Sequence, residues 1–327
     1  MQALYAQLLV GLINGSFYAL LSLGLAVIFG MLNIINFAHG AVYMMGAFVA
    51  FFLLNGIDVP TLTSILNGAW LTMFNGTSLP FLGTIKLPPL ETVHIGIGLN
   101  YWWALLIAPI VVGLFGMVLE RTMLQWIAGL DHLYGLLLTF GLALIIQGVF
   151  QNYFGSSGLP YAIPDELKGG MNLGFMYLPI YRGWVVVFSL IVCVGTWYLI
   201  ERTRLGAYLR AATENPILVR AFGINVPRMI TLTYGLGVGF AGLAGVLSAP
   251  INQVRPLMGE NVIIVVFAVV VIGGMGSIMG SIVTGFALGV IEGLTKYFYP
   301  EASNTVVFVL MVLVLLVKPT GLTGRTA

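Results

Sequence analysis

From Met1 to Ile57 the chain carries no Asp, Glu, Lys or Arg. A soluble domain has no surface on which to place so long an uncharged stretch. A membrane crossing, by contrast, asks for about 20 consecutive apolar residues in a helix that satisfies its own backbone polar groups. Further uncharged runs cover Thr92 to Leu119, His132 to Pro164, Gly183 to Ile200, Met229 to Val254, Asn261 to Ile291 and Ala302 to Val317. Only 7% of residues are charged, where a soluble domain carries about 25%, and the mean hydropathy is +1.03. A transmembrane barrel would alternate apolar and polar residues over short segments of about ten. Val262 to Ile272 is apolar at every position, so helices are expected.

The runs predict an all-α, polytopic transmembrane helical bundle of about 8 to 9 crossings with Gly-rich broken helices, forming a single domain over 1–327. The crossings are placed at about 8–30, 37–54, 101–119, 133–153, 183–200, 229–250, 261–276, 280–298 and 303–317. The N-terminus lacks the basic region of a signal peptide, and its apolar stretch runs past any small-residue cleavage site, so it reads as an uncleaved first helix. Basic residues mark the cytoplasmic side. Placing 201–228 inside collects Arg121, Arg202, Arg204, Arg210, Arg220, Arg228, Lys318 and Arg325 there, against Lys86, Lys168, Arg182, Arg255 and Lys296 outside. The N-terminus is then expected outside, the C-terminus inside, and the loops 55–100 and 155–182 outside. This count favours a helix break at Gly273-Gly274-Met275-Gly276-Ser277, because one continuous helix over 261–291 would send Lys318 and Arg325 out.

Several chemistries lack their residues. All four lysines follow Ile85, Leu167, Thr295 or Val317, whereas a phosphate-binding loop places its Lys after a Gly. Any ATP energy must therefore come from another subunit. Gly274-Met275-Gly276 opens like a dinucleotide fingerprint, but Met279 stands where its third glycine belongs. His39, His94 and His132 have no metal-ligand spacing, and no zinc-protease or serine-hydrolase motif occurs. The single cysteine, Cys193, lies in an apolar run and excludes a disulfide framework. Thirteen basic residues spread along loops give no nucleic-acid footprint. The chain is expected to be no enzyme, to hold no cofactor or metal, and to have lipid and protein as its neighbours.

Candidate working residues fall into two groups. Asn33, Asn36 and His39 form a polar knot between two apolar segments, either lining or gating a pathway or capping and joining two helices. Gly274 and Gly276 sit at the expected break, where transporters place substrate or gating sites. Glu292, inside a predicted helix with Lys296 one turn on, either snorkels near the outer surface or lines a polar cavity. Gly235, Gly237, Gly239, Gly242 and Gly245 form a ladder that suits close helix packing. On the basic loop, Arg210, Ala211, Ala212, Glu214, Asn215 and Gly223 compose a candidate docking segment over 205–223, with Asn215-Pro216 opening a fresh turn and Gly223 ending it.

Taken together, Tyr18-Ala19-Leu20 through Asn36-Phe37-Ala38-His39-Gly40, Arg210-Ala211-Ala212 to Gly223-Ile224, Gly273 to Ser277 with Gly280, and Lys318-Pro319-Thr320-Gly321-Leu322 resemble the permeases of branched-chain amino acid ABC importers, the first of their two paralogous types. The resemblance implies a bacterial inner-membrane importer. A second paralogous permease, two cytoplasmic ATPase subunits that carry ATP and Mg, and a periplasmic substrate-binding protein would be its partners. It further implies alternating access, with 201–228 as the coupling segment. The same superfamily imports urea, short amides and aromatic acids. A channel would leave 201–228 without a purpose, a secondary transporter would usually need more intramembrane carboxylates than Glu292, and an intramembrane enzyme would need a nucleophile and base.

Overall fold

The computed structural model describes residues 2–32, 36–60, 78–79, 83–84, 92–95, 98–127, 130–174 and 176–324. Asn33, Trp70, Lys86, Pro88, Pro89 and Arg325 lie outside the described residues. Every predicted crossing is helical. The long helices are α1 (Gln2–Leu32), α2 (Ala38–Asn55), α3 (Tyr101–Ile127), α4 (His132–Phe154), α5 (Ile180–Arg202), α8 (Val226–Asn252) and α10 (Ile278–Phe298). Between α5 and α8 lie two short helices, α6 (Arg204–Glu214) and α7 (Pro216–Ala221).

Two predicted crossings are shorter than a full span. α9 (Glu260–Gly273) has 14 residues and α11 (Val306–Val317) has 12. At 1.5 Å per residue they reach about 21 and 18 Å, against a hydrocarbon core of about 30 Å. The helix break falls where the charge count put it. α9 stops at Gly273, Gly274 (φ 103°) and Gly276 (φ 81°) turn the chain, and the Ser277 side chain caps α10 by accepting from Gly280 N. Other boundaries moved. α3 continues past Leu119 through a π-helical turn over Glu120–Leu124.

Small residues decide which helices are central. In α1 and α8, 78% of the spanning window is buried, against 22% in α4 and α5, so the first pair forms the core and the second faces outward. The glycine ladder of α8 packs as expected. Gly237 meets Gly24 and Ile28 of α1, Gly242 and Gly245 meet α2 and Val112, and Gly235 and Gly239 meet Gly113 and Pro109 of α3. A second seam joins α1 to α10, where Gly11 and Gly15 lie against Gly289 and Gly293. Without a hydrophobic force between helices in lipid, such close backbone approach supplies the packing energy.

Contacts also sort the connections onto two faces. Gly30 touches Gly276 and lines one cavity with Arg210, Glu120 bonds Thr231 near the start of α8, and the chain after α11 bonds the end of α9, so Gly30, Glu120, 203–225, 274–277 and 318–324 share one face. On the opposite face Leu99 N donates to Leu53 O, Leu159 pairs with Val254, and the strands β1 (Ile57–Pro60) and β4 (Thr92–Ile95) pair antiparallel at the base of the long loop. The same antiparallel pairing closes β2 (Ser78–Leu79) on β3 (Gly83–Thr84). A small hairpin of β5 (Gly170–Asn172) and β6 (Tyr177–Pro179) precedes α5.

Candidate functional site

Asn36 and His39, the described residues of the polar knot after α1, lie where α2 begins. Asn36 Oδ1 accepts from Ala38 N (3.1 Å) at the start of α2, and Asn36 Nδ2 donates to Tyr234 Oη of α8 (3.0 Å). Phe37 N donates to Thr139 Oγ1 of α4 (3.2 Å). His39 is fully buried in the first turn of α2, with Nε2 3.0 Å from Leu21 O. A carbonyl only accepts, so Nε2 carries the proton. Nδ1 then has no partner among the described residues. Three helices thus meet on two side chains, the Phe37 backbone adds α4 as a fourth, and neither side chain faces a described cavity.

The broken helix is held by the residues that follow α11. Leu322 N donates to Ile272 O (2.8 Å) and Thr323 N to Gly273 O (3.2 Å), two carbonyls that the end of α9 leaves unpaired. Thr323 Oγ1 donates to Gly273 O (2.6 Å) and lies 2.7 Å from Ser277 Oγ. A Cβ on Gly274 would sit 2.5 Å from Gly324 N, so this strap fits only a glycine. The Lys318-to-Leu322 motif is therefore the leading part of a clip on the Gly274–Ser277 turn.

Glu292 is buried between α1 and α10. Its Oε2 accepts from Tyr18 Oη (2.8 Å), and Lys296, one turn on, closes an ion pair on Oε1. The phenol and ammonium together compensate a carboxylate that would otherwise be costly to bury. No described cavity reaches this pair.

Gly276 and Arg210, far apart in sequence, line the same small cavity of about 80 Å³, together with Gly30, Ile200, Thr213 and Thr233. Arg210 Nη1 donates to Ile200 O (2.8 Å) and lies 3.4 Å from Glu201 Oε2. A cation placed on the last carbonyls of α5 complements the helix dipole and ties α6 to that helix end. Asn215 caps α7 by accepting from Leu218 N (3.0 Å), Pro216 takes the first helical position, and Gly223 (φ 80°) ends the segment. Ala212 faces inward, packed with Val219 and Val226. Ala211 and Glu214 are exposed or nearly so at the end of α6. The two most exposed apolar side chains of the segment are Ile217 and Phe222, at 80% and 76%, followed by Leu205 and Leu218.

One residue escaped the sequence reading. Glu120, 1% exposed, opens the π-helical turn of α3, and its Oε2 accepts from Thr231 Oγ1 of α8 (2.7 Å). The available signal was its position, directly at the end of the uncharged run from Thr92 to Leu119.

Comparison with known proteins is consistent along the chain. Residues 7–315 match the family described as the permease component of the branched-chain amino acid transport system. The high-affinity branched-chain amino acid transport system permease protein LivH of Salmonella typhimurium is 29% identical over 98% of this chain and 95% of its own length. The corresponding protein BraD of Pseudomonas aeruginosa is 30% identical over the same shares. The ribose import permease protein RbsC of Escherichia coli is 28% identical over 54% of this chain and 58% of its own length. No solved structure matches the chain.

Proposed function

The chain belongs to the family of branched-chain amino acid transport permeases, and from that premise we propose how its parts work. It is the transmembrane subunit of an ATP-driven importer for branched-chain or other apolar amino acids and works by alternating access. The observation that carries this reading is the match of both LivH and BraD along nearly the whole chain. ATP is hydrolysed on two separate subunits, a second permease completes the pathway, and a binding protein delivers substrate to the opposite face. The face bearing 203–225 is cytoplasmic, supported by the seven arginines and lysines described near its turns.

Within this scheme, α6 and α7 form the coupling segment. Arg210 fixes α6 to α5, and the cavity beside it adjoins the inner ends of α1 and α10 together with the clipped Gly274–Ser277 turn. A push on the segment therefore reaches three spanning helices at once. Asn36, His39 and the Gly274–Gly276 turn serve as hinges of the inner gate, and Glu292 with Lys296 holds the α1–α10 seam that moves as one body.

Cells lacking this chain are expected to lose high-affinity uptake of labelled leucine, isoleucine or valine, and to regain it when the chain is supplied. Unchanged uptake of all three would contradict the substrate class. A cysteine at Thr213 should be reached by an impermeant label only in inverted vesicles, and one at Lys168 only in intact cells from which the outer membrane has been removed.

A further inference from the structure

We propose that Glu120 is a positioning residue of the coupling step, latching α3 to α8 through Thr231 in the conformation described and through Arg228 in the alternate one. The inference rests on the importer reading above. Its starting point is an imbalance: a buried carboxyl group whose one partner among the described residues is a hydroxyl, with no cation within ion-pair distance. Glutamine would offer Thr231 the same acceptor oxygen without the penalty of burying a charge. A carboxylate is useful there only if a cation reaches it in another state.

The geometry supplies that cation. Arg228 lies three residues before Thr231 on the first turns of α8, so the two share a helix face, and Arg228 is exposed with no ion pair of its own among the described residues. Pressing the first turns of α8 toward α3, while the Gly235-to-Gly245 ladder beyond them stays packed, would bring the guanidinium to the place the hydroxyl holds now. The π-helical turn that begins at Glu120 gives α3 a local change of register at this point, a feature recurrent at functional sites.

Both ends of α8's first turns are connected to moving parts. Val226 packs on Ala212 and Val219, so displacement of α6 and α7 is passed directly to the start of α8. Tyr234, three residues beyond Thr231, holds Asn36 at the α1–α2 junction. Glu120 thereby sits between the coupling segment and the inner hinge.

The test uses the complete complex in vesicles, with uptake and ATP hydrolysis measured together. Glu120→Gln keeps the volume and the oxygen facing Thr231 but cannot pair with Arg228. It should assemble and hydrolyse ATP while transport per ATP falls about ten-fold, a typical coupling loss. Arg228→Gln should do the same, Arg228→Lys should retain most of the coupling, and the double Gln variant should be no worse than either single one. Wild-type transport per ATP in Glu120→Gln, or losses that multiply in the double variant, would overturn the latch. A wild-type complex that hydrolyses ATP without any uptake would instead overturn the importer reading and the latch with it.

Discussion

Replacing Gly46 by leucine is expected to prevent the bundle from folding. A Cβ at this position would lie 2.1 Å from Gly242 O and 2.4 Å from Gly242 Cα, so the obstacle is the backbone of α8 and not a side chain that could turn away. One turn along the same crossing, a Cβ on Gly245 would meet Tyr43 O at 2.0 Å, which leaves α2 no room to slide. The pair is also pinned by Tyr43 Oη donating to Ser248 Oγ (2.6 Å), a bond lost if the helices part. Overfilling a packed core usually costs about 1–3 kcal/mol where neighbours can adjust, so with main chain on both sides the loss should exceed about 3 kcal/mol. Gly141→Leu is the control, because nothing lies within 4 Å of a Cβ there. Thermal unfolding of detergent-purified protein should show the parent transition in Gly141→Leu and no folded fraction in Gly46→Leu. A parent-like transition in Gly46→Leu would mean that α2 and α8 do not cross in this way.

The second large effect is expected at the tip of the proposed coupling segment. Phe222 and Ile217 are the most exposed apolar side chains on α6, α7 and the turn that follows, and a water-facing surface gains nothing from them unless a partner covers them. Deleting an aromatic anchor at an interface centre costs about 2–4 kcal/mol, or about 30- to 1000-fold in affinity. Phe222→Asp should therefore insert normally, lose its ATPase subunits on purification and show no energised uptake. Ala212→Trp acts differently, since Ala212 packs against Val219 and Val226 beneath the surface and a bulky ring there would separate α6 from α7. Retention of both ATPase subunits by Phe222→Asp at wild-type stoichiometry would place the docking surface elsewhere.

Much of this architecture was legible because lipid leaves few options. Uncharged runs located the nine apolar helices among the described residues, and the position of Lys318 and Arg325 was enough to favour the break after Gly273. What the runs could not show is length in three dimensions. The apolar run from Asn261 to Ile291 gives no sign that α9 covers only part of the bilayer, since that depends on where Met258 and Gly259 turn the chain. Side-chain roles were less legible for a related reason. Asn36 and His39 look alike as candidates for a pathway or a junction until Tyr234 and Leu21 are brought beside them. Arg210 read as part of a docking segment, yet its guanidinium donates to Ile200 O at the end of α5. Glu120 was overlooked because a charge at the end of an apolar run normally marks nothing more than the membrane surface, and only the fold shows it to be buried.

Movement of an amino acid by this chain is expected only when ATP is hydrolysed on partners bound at the face carrying Phe222. Its most direct test is uptake of labelled leucine into vesicles that hold this chain, the second permease and the ATPase subunits, with ATP supplied on the Phe222 face and the loaded binding protein on the other. Accumulation above the external concentration, abolished by omitting ATP or either permease, is the predicted result. Accumulation by this chain alone, driven by an ion gradient without ATP, would contradict it.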